Sequence, residues 1–392
     1  MATDTPTAAP TDSEETPTLS VVLPTMNEEA GIEECLDAIE DAVAELGVTA
    51  EVIVSDSSTD GTPEIARDHG AIVVEPDRQG YGYAYRYAFE RARGEYVVMG
   101  DADTTYDFRE LPKLFERASE GADLVLGSRF AGDIKTGSMP RLHQYVGNPA
   151  LTAFLNRFYG AGVTDAHSGF RVIRRDVLEE LALETDGMEF ASEMIMAASA
   201  QGYDIAEVPI TYHERVGEAT LDSFRDGWEH LRFMLVNAPG YLFSVPGAVL
   251  AAVGIAVMLL AFGNATFIGI AAGPIIFGTR SMVAGSLLTI AGYQVASLGV
   301  FATMTTDPIR RPADPPTEWV LKHLRLERGL AAGLALVGTG TAYAGAIVLQ
   351  WLTDGYGALP ALTHDILAFT IIVLGIQTVF GSFFLGSVRD EQ

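Results

Sequence analysis

Short apolar runs alternate with helix-period stretches through the first half of the chain. "LSVVLP" (Leu19 to Pro24) has the pattern of a strand, and "NEEAGIEECLDAIEDAVAELG" repeats Ile32, Leu36, Ile39, Val43 and Leu46 along one helical face. Asn27 is placed to cap that helix and Gly47 to end it. "EVIVSD" predicts a second strand, Thr62-Pro63 the cap and first position of a second helix, and "AIVVE" a third strand. The Gly-rich "RQGYGYA" then leads a helix to Arg93, and "EYVVMG" is the fourth strand. This alternation predicts a mostly parallel, doubly wound α/β sheet with helices on both faces. Ligands of such sheets bind beyond the carboxyl ends of the strands. Three of those ends are polar, "PTMNEE", "DSSTDGT" and "DADTTYD", which predicts one shared crevice.

From residue 241 onward the pattern changes to long, nearly uncharged stretches. Four of them, about 241–263, 281–303, 329–352 and 365–386, offer the roughly 20 residues that cross about 30 Å of hydrocarbon. They lack the polar stripe of a globular helix, so residues 241–392 read as an all-α transmembrane domain. "ATFIGIAAGPIIFG" (Ala265 to Gly278) is too short and too broken for a span and reads as re-entrant or interfacial. Between the halves, residues 216–240 place Leu221, Phe224, Trp228, Leu231 and Leu235 on one face. That suits either a helix in the headgroup plane, anchored by Trp228, or one packed on the domain. Arg310, Arg311, Lys322, Arg325 and Arg328 lie between the second and third spans. The next loop has no Lys or Arg, and the first has only Arg280 at its edge. The positive-inside rule then makes this a multi-pass cell-membrane protein, with both termini and the α/β domain (19–215) cytoplasmic.

Charge sharpens the picture. Asp and Glu number 52 against 25 Lys plus Arg, a net charge of −27, and Lys113, Lys135 and Lys322 are the only lysines. Such a surface repels nucleic acid, so no nucleic-acid partner is expected. It suits a high-salt cytoplasm, where the screening length falls to about 3 Å at 1 M. The only cysteine, Cys35, lies among Ile32, Leu36 and Ile39, which predicts a core residue and no intrachain disulfide. Residues 1–18 are acidic, with no apolar core, and read as a disordered tail rather than a signal peptide.

The chemistry concentrates where the fourth strand ends. Asp101 and Asp103, two apart, point to the same side, where two carboxylates repel unless a cation lies between them. A hard divalent ion, Mg²⁺ or Mn²⁺, usually shared with substrate phosphates, is the natural partner. "DADTT" also fits the DxDxT pattern of aspartyl-nucleophile phosphatases, but that motif ends the first strand of its domain and here three strand and helix units precede it.

"VVLPTMNEE", "VSDSSTDGT", "GYGYAYRYAF", "GDADTTYD", "GSRF", "DAHSGFR" and "EFASEM" occur in the order found in family-two glycosyltransferases of the GT-A (Rossmann-like) fold. More closely, residues 19–240 resemble synthases that charge a polyprenyl (dolichyl) phosphate with glucose or mannose. The resemblance implies a nucleotide-sugar donor held by Pro24, Thr25, Asn27, Glu28 and Asp56. Gly80 and Gly82 would follow the diphosphate or form an ordinary loop. Asp101 and Asp103 would bind the metal, with Asp103 the more direct and catalytic ligand.

A polyprenyl phosphate is already anionic, so its oxygen needs no general base. It needs positive charge and in-line geometry. Arg129, as a catalytic residue, with Ser168 and Arg171, would bind the acceptor phosphate, arginine being favoured for its planar fork. Asp165 and Glu193 would orient the arginines or the sugar hydroxyls, and Arg215 would close over the diphosphate. The stretch from Ala131 to Asn156, with Arg141, His143 and Gln144, resembles a mobile acceptor loop. Thr105 stands where some mannose-transferring relatives carry Gln or Ser, which leaves the third metal ligand open. Thr164 replaces an arginine of some relatives, so His167 or Arg141 would have to supply that charge. These departures lean slightly towards glucose. The resemblance implies inverting hexose transfer at the cytoplasmic face, giving a lipid-linked sugar for glycosylation. Its rivals are a processive polysaccharide synthase, which would want a QxxRW motif absent here, and a non-catalytic protein that binds or flips lipid-linked sugar.

Overall fold

The computed structural model describes residues 16–217, 223–263, 277–305, 309, 315–323, 326–356 and 361–390. Two compact units, Met1–Phe233 and Met234–Gln392, divide the chain inside the expected interfacial segment.

The first unit is built on a seven-stranded sheet of order β3-β2-β1-β4-β6-β5-β7. Its strands are β1 (Leu19–Thr25), β2 (Ala50–Asp56), β3 (Ile72–Val74), β4 (Tyr96–Met99), β5 (Leu124–Ile134), β6 (Arg171–Arg174) and β7 (Ile205–Tyr212). The helices are α1 (Ile32–Leu46), α2 (Thr62–Asp68), α3 (Tyr81–Phe89), α4 (Leu111–Ser119), α5 (Asn148–Tyr159), α6 (Arg175–Glu180), α7 (Phe190–Gln201) and α8 (Ser223–Val236). β1 to β4 are mutually parallel, as the alternation predicts. Leu19, Val21, Val22, Leu23, Ile53, Val54, Val97 and Val98 are fully buried, which is why these strands read as unbroken apolar runs.

The antiparallel β6 determines where the site forms. Met99 pairs with Arg171, so β6 begins at the sheet edge where β4 ends. Leu126 of β5 also pairs with Arg171, which brings Ser128 and Arg129 to that edge. β7, parallel to β5, ends there at Tyr212. One edge therefore gathers the ends of β1, β2, β4 and β7, the start of β6 and the exit of β5.

Two helix starts differ from expectation. α1 opens after Gly31, and Asn27 instead adopts a left-handed backbone (φ 61°) with its side-chain oxygen accepting from the N–H and hydroxyl of Thr59. Thr62 is the first residue of α2, and its hydroxyl accepts from the Glu28 N–H while donating to Asp60. Both residues are used to tie the β1 and β2 loops together, which outweighs local capping. Gly47 ends α1 in the left-handed conformation, as expected (φ 64°). Cys35 is 2 % exposed, and burial pushes its thiol up to about 12, the behaviour of an inert core residue.

In the second unit four helices are long and apolar enough to cross a membrane, at Gly240–Gly263, Thr279–Met304, Leu326–Thr353 and Leu362–Val388. They belong to α9 (Val245–Gly263), α10 (Thr279–Thr305), α12 (Leu326–Thr353) and α13 (Leu362–Asp390), with the short α11 (Pro315–His323) between the middle two. Glycines spaced seven apart let the backbones approach. A Cβ on Gly254 would lie 2.5 Å from the Thr289 nitrogen, and one on Gly333 2.8 Å from that of Val379. Hydrogen bonds Ser286–Thr370 and Tyr293–Thr378, each 2.7 Å, join α10 to α13. The stretch Ala265–Gly278 lies almost wholly outside the described residues, as do Leu221, Arg310, Arg311 and Arg325. On α8, Trp228 is exposed and His230 buried.

Candidate active site

One end of the crevice is formed by the β1 and β2 loops. Thr25 donates to Asp56 (2.7 Å), whose carboxylate also accepts from the Ser58 hydroxyl (2.6 Å), and both Thr25 and Asp56 are buried. The Asn27 N–H donates to the Ser58 hydroxyl (2.7 Å). Pro24, Thr25, Asn27, Glu28 and Asp56 thus form one hydrogen-bonded rim, with Pro24 partly buried at the end of β1.

Asp101 and Asp103 follow β4 in a turn where Thr104 has φ 64°. Asp103 accepts on one oxygen from the N–H (3.1 Å) and hydroxyl (2.5 Å) of Thr105, and its other oxygen is ion-paired with Arg215 (3.1 Å). Arg215 also reaches Glu28 at 2.5 Å, so Glu28 and Asp103 share one guanidinium. Burial holds the Glu28 carboxyl above its ordinary range even with Arg215 beside it. Asp101 accepts from the Tyr81 hydroxyl (3.0 Å). Burial first, and the Asp103 charge second, push its carboxyl up.

These residues fit a hard divalent ion. They offer oxygen ligands only, and Asp101 lies in a place whose burial and like-charged neighbour a cation would offset. Only glycine leaves room beside it, since a Cβ on Gly169 would lie 2.9 Å from the Asp101 Oδ2. Among the described residues no group of three or more His, Cys, Asp or Glu is poised to hold a metal, so the two aspartates would need oxygens from a ligand to complete the shell.

Towards β5 and β6 the charges are already matched. Arg129 meets Asp165 as a fork, Nε to Oδ2 at 2.7 Å and an Nη to Oδ1 at 2.9 Å, and its own N–H adds a third bond at 3.0 Å. Arg129 is 6 % exposed and Asp165 0 %. Burial would pull the guanidinium down, but Asp165 outweighs it and keeps Arg129 firmly charged. Tyr212 lies under the same guanidinium, 5.1 Å from ring centroid to Cζ.

Several side chains make contacts other than the expected ones. Arg171 is 0 % exposed and donates to the carbonyls of Ser168 (2.8 Å), Ala191 (2.9 Å) and Ala166 (3.2 Å). It braces the segment from Ala166 to Ser168 from inside and presents no charge to a lipid phosphate. Glu193 accepts from the Glu184 and Thr185 N–H groups at 2.9 and 3.0 Å, which fastens a loop rather than a sugar or an arginine. Gly80 and Gly82 approach that loop closely: a Cβ on Gly80 would lie 2.3 Å from the Asp186 oxygen and one on Gly82 2.5 Å from that of Thr185. His167 cannot supply the cation missing at Thr164, because burial and then His230 hold its imidazole down to about 3. Its ring packs edge-on against His230 (5.0 Å), and both imidazoles reach the Ser192 hydroxyl, at 3.4 and 3.0 Å. Ser168 is fully buried, with a hydroxyl that finds no partner among the described residues. Tyr81, Tyr106 and Gly169 were not expected at the site. Tyr106 accepts from the Gly169 N–H (2.8 Å), closing the segment around Asp101. "RQGYGYA" carries Tyr81, "DADTTYD" Tyr106 and "HSGF" Gly169, but nothing in the first or last stretch points its residue at an aspartate.

A mixed α/β sheet with an Asp-x-Asp turn at the edge where its strand ends converge is the layout of a GT-A glycosyltransferase. The chain belongs to glycosyltransferase family 2: residues 20–182 match the Glycosyl transferase family 2 profile, and residues 304–389 that of the family's C-terminal transmembrane region. It is an enzyme and a membrane protein.

Over 97 % of its length the chain is 53 % identical to the low-salt glycan biosynthesis hexosyltransferase Agl6 of Haloferax volcanii, covering 91 % of that protein. It is 40 % identical to the dolichyl-phosphate hexose transferase of the same organism, over 53 % of this chain and 89 % of the relative. An undecaprenyl-phosphate mannosyltransferase of Micrococcus luteus is 32 % identical over 55 % of this chain and 97 % of the relative. Glucosyl-3-phosphoglycerate synthase from Mycobacterium tuberculosis, solved with Mn²⁺, UDP and glucosyl-3-phosphoglycerate, is 27 % identical. It covers 56 % of this chain and 79 % of its own at a TM-score of 0.46, a loose likeness from which nothing further follows.

Proposed function

We propose that this enzyme transfers one hexose from a nucleotide sugar, UDP-glucose or GDP-mannose, to a polyprenyl (dolichyl) phosphate at the cytoplasmic membrane face, with inversion at the sugar C1. The observation that carries the reading is the convergence of Asp101, Asp103, Arg215 and Glu28 on one sheet edge. Its support comes from relatives named as a dolichyl-phosphate hexose transferase and an undecaprenyl-phosphate mannosyltransferase.

The Asn27, Glu28 and Asp56 rim would hold the nucleoside. Mg²⁺ or Mn²⁺ bound by Asp101 and Asp103 would supply positive charge for the departing diphosphate. Thr105 restrains Asp103, and Tyr81 restrains Asp101. A phosphate oxygen of the lipid attacks C1, the bond from C1 to the diphosphate oxygen breaks, and the nucleoside diphosphate leaves with that electron pair. No proton moves, so the acceptor end needs steering charge rather than a base. Arg129, fixed by Asp165, and the Ser168 hydroxyl are the groups for that phosphate. Leu142, Tyr145 and Val146 are 65, 69 and 57 % exposed where the chain enters α5, and the Ala166 N–H bonds α5 through Thr152 (3.3 Å). An apolar edge beside the acceptor segment suits a lipid substrate.

The test is transfer by membranes in molar salt with dolichyl phosphate, a divalent metal and either labelled donor. Label in one mild-acid-labile lipid with one donor supports the reading and names the sugar. A ladder of growing glycans, or binding of lipid-linked sugar without transfer, would replace it with one of its rivals.

A further inference from the structure

Beyond β7 the chain crosses the Asp-x-Asp turn as a short strap, from His213 to Gly217. The His213 N–H donates to the Thr105 carbonyl (2.9 Å) and the Val216 N–H to that of Asp103 (3.2 Å), so the strap is pinned on both sides of Arg215. From this strap one arm of Arg215 meets Asp103 at 3.1 Å and the other Glu28 at 2.5 Å, while its buried Nε finds no partner among the described residues. Asp103 has one oxygen committed to Thr105, a neighbour in its own turn, and the other to this guanidinium. A divalent ion and a guanidinium repel at such range, so a metal that takes Asp103 must compete with Arg215.

We infer that Arg215 is the resting counter-ion of Asp103, displaced when a divalent cation binds and then taken up by the donor's diphosphate, with Glu28 as the pivot that keeps it at the site. Glu28 is thereby also a positioning residue, acting through Arg215. The inference rests on the proposal that Asp101 and Asp103 hold a metal. It makes metal and nucleotide mutually reinforcing, because each removes the arginine from where it opposes the other.

Mn²⁺ binding to the full chain in detergent, read by the electron paramagnetic resonance of free Mn²⁺ with and without UDP or GDP, tests this. Arg215→Ala and Arg215→Gln should bind Mn²⁺ alone roughly tenfold more tightly than the unaltered protein, the scale of one lost charged hydrogen bond. The increase in Mn²⁺ affinity that nucleoside diphosphate brings should shrink in both variants. If both fold, by thermal unfolding, and bind Mn²⁺ alone no more tightly, Arg215 is not a competing counter-ion and the inference fails. Asp103→Asn separates the two levels. Mn²⁺ affinity unchanged by that substitution would overturn the metal assignment itself.

Discussion

At the ends of β1, β2 and β4 the crevice collects Glu28, Asp56, Asp101 and Asp103, and its cation there, Arg215, is shared between two of them. Around β5 and β6 the reverse holds: Arg129 is forked on Asp165 and Arg171 is spent on three carbonyls, all three side chains buried. The first end, proposed for the donor, is thus left with negative charge for ligands to complete, while the second, proposed for the acceptor, has its buried arginines already partnered. On the proposed function, such a preorganised end would lose little in reorganisation when the lipid phosphate approaches. On the same reading, an under-compensated end would bind each more tightly when cation and diphosphate come together.

The largest effect should come from breaking the donor end. Asp103→Asn should lower hexose transfer by about 10³-fold, the cost of losing one preorganised electrostatic contact, with thermal unfolding nearly unchanged. Equal turnover in that variant would remove the metal from the account.

Asp165→Asn attacks the acceptor end instead, leaving the buried Arg129 uncompensated. Destabilisation of roughly 3–5 kcal/mol is expected, read from denaturant or thermal unfolding of the full chain, with activity falling alongside folded protein. A smaller, sharper contrast separates the two buried arginines. Arg129→Lys keeps the charge but loses the fork and should raise the KM for dolichyl phosphate roughly tenfold. Arg171→Met should cost about 2 kcal/mol of stability through its abandoned carbonyls, yet leave that KM within about twofold after correction for folded protein.

The smallest effect is on acid tolerance. Burial lowers His230 to about 4 and His167 to about 3, so the folded protein stays unprotonated at these sites while the unfolded chain takes up protons below its ordinary value near 6.5. Stability from this pair is therefore intact above about pH 6.5 and declines as pH falls towards 4. The unfolding temperature should show that decline, and His230→Gln should flatten it.

The residues proposed for the donor end stand out in the sequence because their spacing is local. Asp101 and Asp103 are two apart in one strand exit, and Thr25 pairs with Asp56 through plain parallel register. The long apolar helices were equally legible, since length and lack of charge decide them. The acceptor end was only half legible. "GSRF" and "DAHSGFR" reveal arginines beside acids, but sequence does not say which arginine faces a crevice and which faces carbonyls; that depends on the antiparallel β6. Gly80 shows a related limit. Its φ of 145° signals close approach, yet the approaching group is the chain's own Asp186, remote in sequence. Asn27 and Thr62 likewise resembled caps until loop-to-loop bonds claimed them.

Analysing the linkage in the product tests most directly whether a lipid phosphate oxygen is the nucleophile. With an α-linked nucleotide sugar and dolichyl phosphate, phosphorus and carbon nuclear magnetic resonance should show one β-linked hexose on a single phosphate, and dolichol without its phosphate should yield nothing. An α-linked product, or sugar carried on the alcohol or through a diphosphate bridge, would contradict the account.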